Sequence, residues 1–470
     1  MTTIQETSTA SGIPLEQLEA LLALPYKKTS LPRPMSLNSL SFARGAIADI
    51  RHELSPKLKQ SRRDAQKRVN NAFRLIMCNL VSCVFTRERL ALPGSNDAYG
   101  TDTYYHKLFL TRRSVKAAVE ALLEGKYIKR TKGNVYKHQV DGYQPTPELE
   151  LKLIPLLYEV YEEYNPLEPL VIFKQEKADS HYEKSGDAVS SNPLKGKRRK
   201  NSSARRSKHT MRIRSLGLFN VPHTAAPIEL ETTYATDQAA LIRINDALKD
   251  ATYALKSPVK RIYSHGDPQK GGRLYVRLQS LPDKRARIRI NTLFNGMPIA
   301  EVDLSANHPR MLMALQEKEQ LPENFYDDIA AASGTSRDKV KFLVMKMIGA
   351  SDRKIDLAVK RDEKDWYKST FKMTQAERRK IEAIIQASYP KLYPWFYSGR
   401  GINLQTLEGD TLLEAMLTLL DQGILSLPMH DAIYVQQEHI TQARTALENA
   451  WMHALNVDFK PYTTVDMPNG

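Results

Sequence analysis

Cysteine is nearly absent from this chain of 470 residues: Cys78 and Cys83, both in the apolar stretch LIMCNLVSCVF, are the whole supply. Two thiols with no further cysteine nearby argue against a disulfide framework or a zinc site, and predict buried thiols in a reducing, cytoplasmic setting. The N-terminus, MTTIQETSTASG, lacks the charged-then-apolar layout of a secretory signal. No apolar run reads as long enough to cross a bilayer, so no membrane partner is expected. Acid is also short: 53 Asp and Glu against 69 Lys and Arg leave a net charge of +16, with a pI near 9.5. The acid-free run LKGKRRKNSSARRSKH (194–209) holds half of that excess; by itself it fits a solvated linker and a phosphate-binding tail equally well. For the chain as a whole a polyanion, nucleic acid, is the expected partner, because Lys and Arg facing phosphates release condensed counterions.

The hydrophobic fraction of 41% is ordinary for a globular protein, and the length allows two to four domains. Residues 1–60 predict a helical segment in pieces. Residues 61–145 predict a basic stretch running into an apolar helix, followed by LFLTRRSVKAAVEALLEGKYIKRTKGNVY (108–136). There Thr111 caps a helix with Val115, Val119, Leu122 and Leu123 on one face, and Gly125 ends it. YIKRTKGNVY then reads as a strand, a turn at Lys132–Gly133 and a second strand. This is the outline of a winged helix, with Arg112, Arg113 and Lys116 on the open face and Lys129, Arg130 and Lys132 on the wing. A small packing module with a solvated face would read the same way. Residues 146–212 predict an acidic helix, PELELKLIPLLYEVYEEYN, and a polar, basic linker as domain boundary.

Four stretches beyond the linker carry chemistry. In GGRLYVRLQSLPDKRARIRI (271–290), Arg273, Arg285, Arg287 and Arg289 alternate as one strand face would. That face suits a phosphate backbone, or a basic edge strand that discourages aggregation. AEVDLSANHPRML (300–312) reads as a strand delivering Asp303 to its end, then a helix opened by Asn307 and Pro309; Asp303 is a metal ligand or part of a capped turn. SGTSRDKVKFLVMKMIGAS (333–351) predicts a helix capped by Thr335 or Ser336, with Arg337, Lys341 and Met345 four apart on one face. Two cations one turn apart suit a triphosphate, although a plain surface helix has the same spacing. GILSLPMHDAIYVQQ (423–437) predicts a hairpin with His430–Asp431 at its tip. An acid between apolar strands costs desolvation unless a cation meets it. Asp303 and Asp431 could therefore share two Mg²⁺ ions, or Mn²⁺ in their place, for in-line phosphoryl transfer.

In this order the stretches resemble the DNA polymerase I family (family A). DLSANHPR fits its motif A, D-x-S-x-x-x-x-R; RDKVKFLVMKMIG resembles motif B, with R-x-x-x-K and a closing Gly; MHDAIYV resembles motif C. GGRLY with QSLP is similar to the T-G-R-L stretch upstream of motif A, and LQTLEGDTLLEAMLTLL (404–420) to the helix before motif C. The resemblance covers residues 225 to 470. Departures are Ile348 before Gly349, where the family has Tyr, a Lys341-to-Gly349 spacing one residue short, and Ala432 after Asp431, where a second carboxylate is common. No stretch offers the carboxylates of a proofreading exonuclease.

The resemblance implies an α+β right hand: thumb-like helices at 213–270, a palm at 271–312 and 405–470, and fingers at 313–404. It implies catalysis by Asp303 and Asp431 as ligands of two Mg²⁺ ions, with Arg337 and Lys341 on the incoming triphosphate. His430 would lie near the primer end and Arg273 on the backbone; the partners would be DNA template, primer and nucleoside triphosphates. His308 stands five residues after Asp303, where the family sets a side chain against the sugar. A bulky group there implies dNTPs, whereas the related phage-type RNA polymerases carry a small one. The expectation is a DNA-dependent DNA polymerase without proofreading, suited to a phage, plasmid or mobile element. The alternatives are a single-subunit RNA polymerase or primase, and a non-catalytic DNA-binding replication protein with a relic palm.

Overall fold

A computed structural model of the chain describes residues 3–26, 28–30, 32–33, 35–37, 45–92, 96–100, 108–133, 141–174, 227–283, 286–353 and 373–468. The basic run 194–209, the expected linker, Arg285 and the expected strand at 134–136 lie outside them.

In the first half, α1 (Ile4–Ser11), α2 (Leu15–Ala23), β1 (Lys28–Ser30), β2 (Met35–Leu37), α3 (Ala46–Glu53) and α4 (Ser55–Leu58) surround α5 (Arg63–Thr86). By length and composition α5 could cross a membrane, contrary to the expectation that no run would. It is nevertheless a core helix: from Leu75 to Phe85 every residue is buried, both cysteine thiols included. Burial pushes Cys78 and Cys83 up to about 12, so neither is an available thiolate at neutral pH.

Next come β3 (Glu88–Ala91), α6 (Arg112–Glu124), β4 (Ile128–Thr131) and β5 (Gly142–Pro145), giving a four-stranded sheet in the order β1-β3-β5-β4. Thr111 and Ser114 form the predicted cap of α6 by exchanging backbone-to-hydroxyl bonds. The expected second strand of the hairpin falls outside the described residues; among those described, β4 pairs antiparallel with β5 (Gly142–Pro145). Asp141, just before β5, accepts from the Gly133 amide at 2.8 Å and from the Arg130 guanidinium. The expected acidic helix also stops early. α7 (Pro147–Leu153) gives way to a 3₁₀ turn, Ile154–Tyr158, and then to β6 (Val160–Glu162), which pairs with β2. Pro155 has no amide proton to continue the α-helical ladder.

The halves share a sheet. β7 (Val171–Phe173) precedes the linker, yet it lies parallel to β8 (Lys260–Tyr263), whose other edge pairs with β9 (Gly271–Tyr275). Between them in sequence, α8 (Pro227–Leu248) is the one helix among the described residues of the segment expected to hold several. The arginine-rich stretch is not one strand. β9 ends at Tyr275, a 3₁₀ turn covers Arg277–Ser280, and Arg287 adopts a left-handed backbone (φ 45°). Pro282 cannot donate to a ladder, and the arginines are claimed by acids: Arg287 by Asp466 at 3.0 Å, Arg289 by Asp283 at 3.3 Å. A common phosphate-facing row is therefore not formed.

β10 (Leu293–Phe294) and β11 (Met297–Leu304) lead to α9 (Asn307–Glu317), α10 (Phe325–Ser333), α11 (Arg337–Gly349), α12 (Gln375–Ser388) and α13 (Gly401–Asp421). The hairpin β12 (Leu427–Met429) and β13 (Ala432–Gln436), α14 (Ile440–Leu455) and β14 (Thr463–Asp466) complete the chain. β11 is the centre of an antiparallel sheet, with β13 and then β12 on one side and β14 and β10 on the other.

α13 crosses β9 in direct contact. A Cβ on Gly409 would stand 1.9 Å from the Gly272 carbonyl oxygen, so only glycine fits. Gly409→Ala should raise helix propensity by about 1 kcal/mol, yet the clash with backbone outweighs this. We expect a net loss of about 2–3 kcal/mol, read as a lower urea midpoint.

Candidate active site

The register of the central sheet places the two expected acids together. Asp303 pairs with Ala432, one residue from Asp431, and the Leu304 amide donates to the Asp431 carbonyl at 3.2 Å. Asp303 is the penultimate residue of β11, and the alternating burial of that strand, with Val302 and Leu304 inward, leaves position 303 at the opposite, partly open face. Asp431 occupies the two-residue turn between β12 and β13, where His430 takes a left-handed backbone (φ 55°) on the exposed side.

The pair is electrostatically strained. Burial, and then the neighbouring Asp431 and Glu301, hold the Asp303 carboxyl well above the usual carboxylate range. Asp431 is raised by burial and then by Glu408. Lys341 pulls both back toward ionisation, which places the exposed face of α11 opposite the acids. Arg337, Lys341 and Met345 all lie on that exposed face, four residues apart, as the spacing predicts. Ser336 rather than Thr335 caps the helix. Arg337 rests 3.3 Å from Asp327 and over the Tyr326 ring, a solvent-exposed pairing weak enough for an incoming anion to displace. Gly349 closes α11 where it meets α13: a Cβ on Gly401 would lie 3.0 Å from the Gly349 Cα.

Among the described residues, no cluster of three or more His, Cys, Asp and Glu side chains is arranged to hold a metal. The donor set near the turn is the Asp303–Asp431 pair. Two carboxylates fit a hard cation such as Mg²⁺, which keeps several waters and takes its remaining ligands from substrate phosphates. Bound there, such an ion would supply positive charge to two acids that repel each other.

His308 is buried, 4% exposed, with Nε2 2.9 Å from Glu408 Oε2 and Nδ1 without a partner. Arg273 of β9 meets the other side of the same carboxylate, Nε to Oε1 at 2.5 Å. Burial opposes ionisation of Glu408, but His308 and Arg273 hold its carboxyl below the usual range. Arg310, the last residue of the D-x-S-x-x-x-x-R pattern, is 1% exposed and donates to the carbonyls of Ser305, Leu321, Pro322 and Glu323, anchoring the loop between α9 and α10.

Two site residues escape the sequence reading. Glu408 has a legible signal: it interrupts the buried stripe Leu404, Leu412, Ala415 and Leu419 of α13 with an acid. Tyr326, whose ring is buried between Arg337 and the Asp431 side, has none.

The winged-helix residues lie elsewhere. Arg112, Arg113, Lys116, Lys129 and Arg130 are exposed on α6 and β4. Lys116 sits 3.5 Å from Glu120, and Arg130 is bound by Asp141.

No family model matches the sequence, and no curated protein matches it. One similar solved structure is the POL domain of Pol1 from M. smegmatis in complex with DNA primer-template and dNTP. It is 13% identical with a TM-score of 0.24, over 55% of this chain and 59% of that one. The match thus spans less than two thirds of that chain.

Two stability measurements check the electrostatics. A carboxyl raised in the folded state contributes stability below its unfolded pKa and loses it as pH rises through the folded value. Asp303→Asn should therefore be more stable than wild type by about 1 kcal/mol at pH 7–8 without divalent cations. In thermal melts the gap should close below about pH 4 and narrow on adding Mg²⁺, which favours the wild-type pair. Glu408→Ala strands Arg273 and should cost about 3–5 kcal/mol, measured by denaturant unfolding.

Proposed function

We propose that the chain is a template-directed nucleotidyltransferase, a DNA-dependent DNA polymerase without proofreading that works with two Mg²⁺ ions. The observation that carries this reading is the placement of Asp303 beside Asp431 at one end of β11 and β13, with the cationic face of α11 opposite. In it, β11, β13 and β9 form the palm, α10 to α12 the fingers, and α8 the thumb side. The acids would hold the metals, which supply an activated 3′-hydroxyl and a shield for the leaving pyrophosphate. Lys341 and Arg337 would receive the triphosphate, Arg337 exchanging Asp327 for phosphate. Arg273 and His308, locked on Glu408, would line the path of primer and sugar as a fixed wall, with dNTP preference arising from the rigidity of His308. His430, exposed on the turn, would stand by the primer end.

Extension of a labelled primer on a DNA template with Mg²⁺ tests the reading. Asp431→Ala should remove activity by at least about 100-fold, while Lys341→Ala should chiefly raise KM for the nucleotide. Extension with rNTPs alone would turn the assignment to an RNA polymerase. No extension from primed or bare template would leave a non-catalytic DNA-binding protein.

A further inference from the structure

Among the described residues of the first half, a group of cations stands apart from the expected wing. α5 and α6 pack together, and their N-terminal turns meet at Phe109: Lys67 Nζ lies 5.2 Å and the Arg68 guanidinium 4.7 Å from its ring centre. Asn71 fixes the junction by donating to the Leu108 carbonyl at 3.2 Å. Arg62, Arg63, Lys67, Arg112 and Arg113 are exposed around this point, with Arg68 half-buried beneath them and its Nε lacking a hydrogen-bond partner.

Among the described residues none of these six cations forms an ion pair with a carboxylate, and Asp64 is the one acid in the first turn of α5. By contrast, Lys116 farther along α6 and Arg130 on β4 each have an acid partner, Glu120 and Asp141. Holding like charges together without counter-charges costs free energy that a polyanion returns.

We propose that the junction of the α5 and α6 N-termini is a docking surface for the phosphate backbone of duplex nucleic acid. Lys67 and Arg68 both lie over the Phe109 ring, so a base stacking there would compete with two cations. The surface therefore reads backbone charge and not sequence, unlike the stacking grooves that take single strands. This inference is independent of the Asp303–Asp431 chemistry and holds for an active or an inactive palm.

The test is fluorescence anisotropy of a labelled duplex oligonucleotide with the full chain across a salt series. Replacing Arg63, Lys67, Arg112 and Arg113 together by Gln should weaken binding at least about tenfold near physiological salt. It should also lower the slope of log affinity against log salt by about three to four, near one per lost phosphate contact. Lys116→Gln with Arg130→Gln should change neither. All these side chains are exposed, and a melting temperature unchanged from wild type certifies the fold. An unchanged slope in the fourfold variant, or an equal loss in the Lys116/Arg130 pair, would overturn the assignment.

Discussion

The contact of α13 with β9 is the constraint on which the candidate site depends. Gly409 lets the helix backbone approach the Gly272 carbonyl more closely than any side chain would allow. The crossing is braced from below by Arg261, 1% exposed, which donates to that same carbonyl at 2.8 Å and to Asp237 at 2.9 Å, and also bonds Asp410. A guanidinium can serve these partners together because its donors form a rigid, planar fork. The consequence is one residue away: with Gly409 pressed on β9, Glu408 is delivered to Arg273 and to His308. Three segments far apart in sequence are thereby fixed around one buried carboxylate.

That carboxylate and the Asp303–Asp431 pair are neighbours with opposite settings. Glu408 has two cationic or hydrogen-bonding partners and is held ionised, whereas the aspartates have each other and one lysine, and are pushed toward protonation. A fold selected for stability alone would replace one aspartate with an amide. Keeping both, partly open and facing the cations of α11, fits a site whose missing charge arrives from outside. The buried network thus supplies rigidity, and under the proposed function the open pair would supply affinity for a cation.

Short-range patterns were the legible part. The burial alternation of β11, the hairpin at His430–Asp431, the caps of α6 and α11 and the fourfold spacing of Arg337 and Lys341 all depend on residues within a few positions of each other. The errors came where a long-range partner decides. The 271–290 arginines alternate like a strand, but Asp466 claims Arg287 and Glu408 claims Arg273 from 179 and 135 residues away. α5 has the composition of a membrane span until the surrounding elements that bury it are known. Glu408 stood out in its stripe, while the identity of its partners, 135 and 100 residues away, could not be read locally.

The shared sheet joins the two halves mechanically. β7 is hydrogen-bonded into the sheet of β8 and β9, and the Arg277 guanidinium, two residues past β9, reaches the Ser82 hydroxyl on α5. α5 is therefore a strut with one end at the cationic junction near Arg63 and the other at the segment that follows Arg273. At 1.5 Å per residue, the 19 steps from Arg63 to Ser82 span about 28 Å, the length of about eight base pairs of duplex. Because α5 is buried from Leu75 to Phe85, nothing can lie along that part of it; the strut acts from inside, by fixing how far the junction stands from the segment that follows Arg273.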